Sequence, residues 1–264
     1  MTLGSPTKSA TPGAGGAAVA PERASRLQRL RGLYAIADDG FAETPARLLS
    51  LVEAFLRGGA QALQLRCKRL GSGEFLALAR ASAARCRQAG ALLFINDRPD
   101  LAALAGADGV HLGQQDLPLR EARALVGPGV LLGVSTHGEA ELERAVADGA
   151  DCVGFGPIFA TDTKRATTPA STPLPPPRGI VGMQQIAARA PGMPLIAIGG
   201  IDEPQAEALA AAGALCVAVI AALCRAEDPE TKARALVRAF ARGQARREAV
   251  AHGDAQAASA RGEP

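Results

Sequence analysis

The chain has 264 residues, 48% hydrophobic and 21% charged, with a formal charge of +3 at pH 7. That charge is too small and too dispersed for a nucleic-acid binder, and 3% aromatics with no Trp offer no stacking platform for single strands. No apolar run of membrane-spanning length lacks charges and no secretory apolar region opens the chain. Five cysteines without a CxxC pair read as reduced thiols, so a cytoplasmic chain is expected.

Residues 1–26, rich in Gly, Ala, Ser, Thr and Pro, read as a disordered tail. From 27 to 242 short apolar runs alternate with Ala/Leu/Arg/Glu-rich stretches. Strands are predicted at 32–37, 61–66, 91–95, 109–112, 130–134, 152–155, 195–198 and 215–220. Helices are predicted at 45–57, 74–88, 99–105, 119–126, 139–147, 180–190, 203–212 and 229–240. The Pro-rich patch 167–177 can form neither helix nor central strand and reads as a long loop. Residues 243–264 read as a second disordered tail.

Strands separated by helices imply parallel pairing through right-handed crossovers. Gly59, Gly106, Gly149 and Gly213 each follow a helix and precede an even-numbered strand, the first spacings being about 47 and 43 residues. Four repeats of two βα units describe closure, so the expected fold is α/β, a single (β/α)8 TIM barrel rather than an open doubly wound sheet.

In such a barrel the reactive groups follow the strands, at their C-terminal ends. Asp38 and Asp39 follow the first strand; Gln64, Arg66 and Lys68 end the second; Asn96 and Asp97 the third; His111, Gly113, Gln114 and Asp116 the fourth. Ser135, Thr136 and His137 end the fifth, Gly156, Pro157, Thr161, Thr163 and Lys164 follow the sixth, Gly199 and Gly200 the seventh, and Ile220 and Ala221 the eighth. The opposite strand ends carry mostly Gly and Ala. Fixed cations, hydroxyls and glycine turns that admit close approach of N–H groups suit a phosphorylated substrate. Two aspartates among these cations suit the partial shell of Mg²⁺, which keeps most of its waters. The residues therefore point to Mg²⁺-assisted chemistry on a phosphate or diphosphate ester.

Each feature also has a structural reading. Gly199-Gly200 fits a plain turn, Asp97 and Asp116 each fit a helix cap before Pro99 and Pro118, and His111 fits a packed strand residue. Cys152 and Cys216 read as core, and Arg80, Arg85 and Arg87 as a solvated helix face. Lys164, between Thr163 and the Pro-rich patch, has no packing role.

The runs Leu33–Asp38 (LYAIAD), Gln64–Lys68 (QLRCK), Ile95–Arg98 (INDR), Asp108–Asp116 (DGVHLGQQD), Gly133–His137 (GVSTH), Gly154–Lys164 (GFGPIFATDTK) and Ala197–Ile201 (AIGGI) resemble the thiamine phosphate synthase family across roughly 30–240. The resemblance implies a transferase that joins a hydroxymethylpyrimidine diphosphate to a thiazole phosphate with loss of diphosphate. It implies that Gln64, Arg66, Lys68, Asn96, Ser135 and Lys164 hold the pyrimidine diphosphate, with Arg66, Ser135 and Lys164 acting in catalysis. Asp97 and Asp116 would bind Mg²⁺, and Thr161, Asp162, Thr163, Gly200, Ile220 and Ala221 would cradle the thiazole phosphate. In the family diphosphate leaves first and the thiazole nitrogen captures the resulting cation, so no general base is needed.

Three departures stand out. Cys67 replaces the usual Glu of the QLREK run, Ala221 replaces a frequent serine, and the loop after Lys164 is longer and Pro-rich. The alternatives are a thiazole tautomerase of the same fold, which needs no diphosphate site, and a non-catalytic phosphate-binding barrel. The expected partners are small-molecule substrates, with no nucleic acid and no membrane; a homo-oligomer is left open.

Overall fold

The computed structural model describes residues 20–161 and 176–261. Among the described residues the strands β1 (Gly32–Asp38), β2 (Ala62–Arg66), β3 (Leu92–Asn96), β4 (Gly109–Leu112), β5 (Leu131–Thr136), β6 (Cys152–Phe155), β7 (Leu195–Ile198) and β8 (Cys216–Val219) close into a barrel. Each pairs in parallel with the next, and β8 returns to β1 with Cys216 opposite Gly32. The helices are α1 (Pro21–Arg29), α2 (Pro45–Arg57), α3 (Ser72–Ala89), α4 (Pro99–Ala105), α5 (Leu119–Val126), α6 (Glu139–Ala147), α7 (Gly179–Arg189), α8 (Glu203–Ala211), α9 (Ala221–Cys224) and α10 (Pro229–Arg261). None is long and apolar enough to cross a membrane. The expected barrel is therefore present.

Alternation along the strands divides the core in two. Leu33, Ala35, Leu63, Leu65, Leu93 and Ile95 pack outward beneath the helices. Tyr34, Ile36, Leu92, Phe94, Cys152 and Ile196 belong to a separate cluster inside the barrel. The register then decides where the polar residues fall. Asp38 lies opposite Arg66, Asn96 opposite His111 and Ser135 opposite Gly154, so the inward columns end in polar groups at the C-terminal rim.

Two helices reach into the segments read as tails. Helix α1 begins inside the span 1–26 and runs past it: Pro21 and Glu22 open it and Arg26 and Arg29 close it, which suits the helix dipole. Arg26 bonds Asp108 at 3.0 Å and the Gly129 carbonyl at 2.6 Å, and Arg23 pairs with Asp151 at 3.4 Å. Beyond α1, the fully buried Leu30 enters the inner cluster at the barrel's N-terminal end. At the other terminus α10 runs to Arg261 rather than ending near 242. Ala, Arg, Gln and Glu there are good helix formers, although they lack an apolar stripe. Gly243 is where α10 crosses α8: a Cβ would lie 2.1 Å from the Glu207 carbonyl oxygen. Arg242 and Arg246 both reach the Glu207 carboxylate at 2.8 Å.

Candidate active site

The rim between β1 and β2 carries one buried ion pair. The Arg66 guanidinium donates to Asp38 at 2.6 Å, while the other Asp38 oxygen accepts the Gly40 N–H at 2.7 Å. Asp39, equally buried, accepts the N–H groups of Arg69 and Leu70 at 2.7 and 3.3 Å. Its carboxylate thus fixes the turn that carries Lys68.

The next two strand ends bring the predicted carboxylates together. Asp97 pairs with the Lys68 ammonium and accepts from Asn96 Nδ2 at 2.6 Å. Its backbone sits at φ +58°, and its N–H donates to the His111 carbonyl at 2.9 Å, so the strained residue is anchored to β4. Asp116 accepts the Gly113 N–H at 2.7 Å and lies beside Asp97. Partial burial, then the neighbouring Asp97, pushes the Asp116 carboxyl above the usual carboxylate range. Neither aspartate caps a helix: Arg98 and Pro118 occupy the cap positions of α4 and α5. Among the described residues no group of three His, Cys, Asp or Glu is placed to hold a metal.

Below this cluster lies a cavity of about 100 Å³ inside the barrel. Gln64 Nε2 donates to the buried Tyr34 hydroxyl at 3.0 Å, and His111 Nε2 lies 3.1 Å from Ser135 Oγ. A Cβ on Gly133 would stand 2.6 Å from His111 Nδ1, so the imidazole lies across a strand that has no side chain there. Gln114 Nε2 holds the Ser135 carbonyl at 2.7 Å. His137 is engaged by Glu141, through its N–H at 2.7 Å and Nδ1 at 3.0 Å.

A second, largely apolar cavity of about 520 Å³ opens between the ends of β6, β7 and β8, lined by Pro157, Thr161, Gly199, Gly200, Ala221 and Pro177 among others. The chain after β6 continues β7's hydrogen bonding: the N–H of Ile158 meets the Ile198 carbonyl at 2.8 Å and that of Phe159 the Gly199 carbonyl at 3.0 Å. This close approach needs the glycines, since Gly200 has φ +63° and a Cβ there would meet the Ala160 oxygen at 2.5 Å. Gly156, Ile198, Ala218 and Ile220 line both cavities, which therefore adjoin.

Gln64, Arg66, Asn96 and Ser135 line the inner cavity, with Lys68, Asp97 and Asp116 at its rim. Thr161, Gly200, Ile220 and Ala221 line the second cavity. Asp162, Thr163, Lys164 and most of the Pro-rich patch lie outside the described residues. Tyr34, Ile36, Ile196 and Ala218 also line the inner cavity. They were missed as site residues because an apolar inward position reads as core, although period-two counting back from Asp38, Ile198 and Ile220 places them on the cavity side.

The chain matches the family profile described as Thiamine monophosphate synthase over residues 33–223. It is 44% identical over 227 residues to the thiamine-phosphate synthase of Anaeromyxobacter dehalogenans, covering 86% of this chain and 96% of that one. It is also 44% identical to the thiamine-phosphate synthase of Thermosynechococcus vestitus, spanning 83% of this chain and 59% of that longer one. The solved thiamine phosphate pyrophosphorylase of Pyrococcus furiosus superposes with a TM-score of 0.72 at 29% identity, over 82% of this chain and 98% of that one. A chain with this barrel, these adjoining cavities and these relatives belongs to the thiamine monophosphate synthase family.

Proposed function

We propose that this chain is a thiamine phosphate synthase, an alkyl transferase that joins 4-amino-2-methyl-5-(diphosphooxymethyl)pyrimidine to a thiazole phosphate and releases diphosphate. The observation that carries the reading is the pair of adjoining cavities. One lies beneath cations and carboxylates, the other is floored by Gly199 and Gly200, and they meet at Gly156, Ile198, Ala218 and Ile220. Two ligands bound in them would face one another at that wall.

In this reading Gln64, Asn96 and Ser135 orient the pyrimidine, and Arg66, Lys68 and Lys164 hold the diphosphate. Thr161, Asp162, Thr163, Gly200, Ile220 and Ala221 receive the thiazole phosphate. The departing diphosphate takes the electrons of the breaking C–O bond, and the thiazole nitrogen supplies the pair for the new C–N bond. That nitrogen carries no proton, so Arg66, Ser135 and Lys164 act by stabilising charge and by positioning.

Asp97 and Asp116 suit Mg²⁺. Two carboxylates held against their mutual repulsion favour a divalent cation, and two protein ligands leave room for diphosphate oxygens and water. When bound there, Mg²⁺ neutralises charge on the leaving diphosphate. The buried thiols suit a cytoplasmic enzyme.

Diphosphate release from the two substrates, with and without Mg²⁺, tests the reading. Metal-dependent release with thiamine phosphate formed in equal amount supports it. Isomerisation of the thiazole precursor without metal supports the tautomerase, and binding without turnover supports a non-catalytic barrel.

A further inference from the structure

We propose that the consecutive aspartates Asp38 and Asp39 are positioning residues for the diphosphate-binding cations, one acting on a side chain and the other on a backbone turn. This rests on the synthase reading and names a device within that site. Both residues are almost completely buried, at 3% and 4% exposure, where a carboxylate is strongly disfavoured unless every oxygen that matters is bonded. Their partners explain the burial. Asp38 pairs with the Arg66 guanidinium across the β1–β2 register, at 2.6 Å. Among the described residues Asp39 makes no side-chain ion pair with these cations; it holds the N–H groups of Arg69 and Leu70 and so sets the path of the chain at Lys68.

The residue between Arg66 and Lys68 cannot do this work. Cys67 is buried, and burial together with Asp39 and Asp38 pushes its thiol far up, so it stays neutral. The carboxylates that fix Arg66 and the backbone at Lys68 therefore come from the end of β1 and the turn after it, while Asp97 pairs with the Lys68 ammonium itself. A guanidinium has five donors and can hold Asp38 while binding a second anion. An arginine side chain loses rotamer entropy when it is fixed. Pairing with Asp38 meets that cost before the substrate arrives.

The test uses the full chain and four variants: Asp38→Asn, Asp39→Asn, Arg66→Ala and Asp38→Asn/Arg66→Ala. Steady-state kinetics are measured against each substrate, and inorganic diphosphate is titrated in with Mg²⁺. We expect Asp38→Asn and Asp39→Asn each to raise KM for the pyrimidine diphosphate roughly ten- to a hundredfold, and to weaken inorganic diphosphate similarly. KM for the thiazole phosphate should stay within about twofold, because its cavity is lined from the ends of β6, β7 and β8 and touches neither Asp38, Asp39 nor Arg66. The double variant should be no worse than Arg66→Ala, since Asp38 acts through Arg66.

Equal damage to both substrates, or additive losses in the double variant, would overturn the proposal. If Asp38→Asn does not fold, Asp38→Glu keeps the charge while displacing the guanidinium by about one methylene. Unchanged diphosphate affinity in that variant overturns the proposal, and so does failure of both to fold, because the pair would then serve the fold alone. A parent enzyme that forms no thiamine phosphate defeats the synthase reading instead, while the diphosphate titrations still decide the roles of Asp38 and Asp39.

Discussion

Asp97 and Asp116 come from loops after neighbouring strands, and burial together with Asp97 pushes the Asp116 carboxyl up. The arrangement is unfavourable in two ways. Asp97 sits at φ +58°, a conformation that costs a side-chain-bearing residue about 1–3 kcal/mol, and Asp116 has its carboxyl pushed up by burial and by Asp97. A fold optimised for stability alone would not retain it. Lys68 compensates in part, and a bound divalent cation would complete the compensation.

Neutralising one carboxylate should therefore separate stability from activity. A carboxyl with a raised folded pKa contributes stability below its unfolded pKa and loses it as pH rises, so ionisation of Asp116 opposes folding. Asp116→Asn is expected to melt at or above the parent's Tm without metal. Its turnover should fall at least about 100-fold and lose its rise with added Mg²⁺. Calorimetry and a Mg²⁺ titration of turnover measure both. A lower Tm with intact metal-dependent turnover would assign Asp116 to the fold.

Much of this site was legible before the structure, because a closed barrel converts strand ends into a ring. Arg66, Asn96 and Ser135 could be placed by locating β2, β3 and β5 alone. What escaped were contacts between segments distant in sequence. Nothing local in Leu33–Asp38 shows that Asp38 will meet Arg66, or that the apolar Ile196 and Ala218 will line a cavity. The extension of α10 past Arg242 escaped for another reason: its ion pairs there reach Glu207 of α8, distant in sequence, and no apolar stripe marks it in the sequence.

Gly200→Ala should damage the thiazole phosphate side selectively. Its φ of +63° strains any side chain, and the added Cβ would press on the Ala160 oxygen at 2.5 Å. The segment Ile158–Phe159, tied to β7 by its N–H groups, must then move away. We expect a Tm loss of several degrees, corresponding to about 1–3 kcal/mol, and a KM for the thiazole phosphate raised about tenfold or more. KM for the pyrimidine diphosphate should change little. The reverse pattern in steady-state kinetics would place the phosphate elsewhere.

The N-terminal helix should matter for stability and not for chemistry. Leu30→Ala empties a fully buried position at the end of the barrel opposite the polar rim, at a cost of about 2–5 kcal/mol. Deleting residues 1–25 removes Arg23 and its pairing with Asp151, so it should also lower Tm, by less. Both proteins should keep kcat within about twofold per folded molecule, since the altered groups are remote from the site. Denaturant melts and active-site titration measure the two quantities. A large kcat loss at unchanged Tm would mean that this end of the barrel controls the reaction.

Alkaline pH should destabilise the chain through its thiols. Burial pushes Cys86 and Cys224 up to about 12, and Cys67, Cys152 and Cys216 are also raised chiefly by burial. Unfolded cysteines titrate near about 8.5. Above that pH the unfolded chain releases thiol protons that the folded chain retains, so the folded state binds more protons and stability must fall as pH rises. The thiol contribution is fully present below about pH 8.5 and is lost progressively toward 12. Tm should be flat between pH 7 and 8 and decline from about pH 9, with a shallower decline in Cys86→Ala after correction for its lower starting value. At pH 8 an aromatic disulfide reagent should label the native chain slowly and the denatured chain at all five positions. Rapid native labelling would mean that these thiols reach solvent and cannot hold their protons.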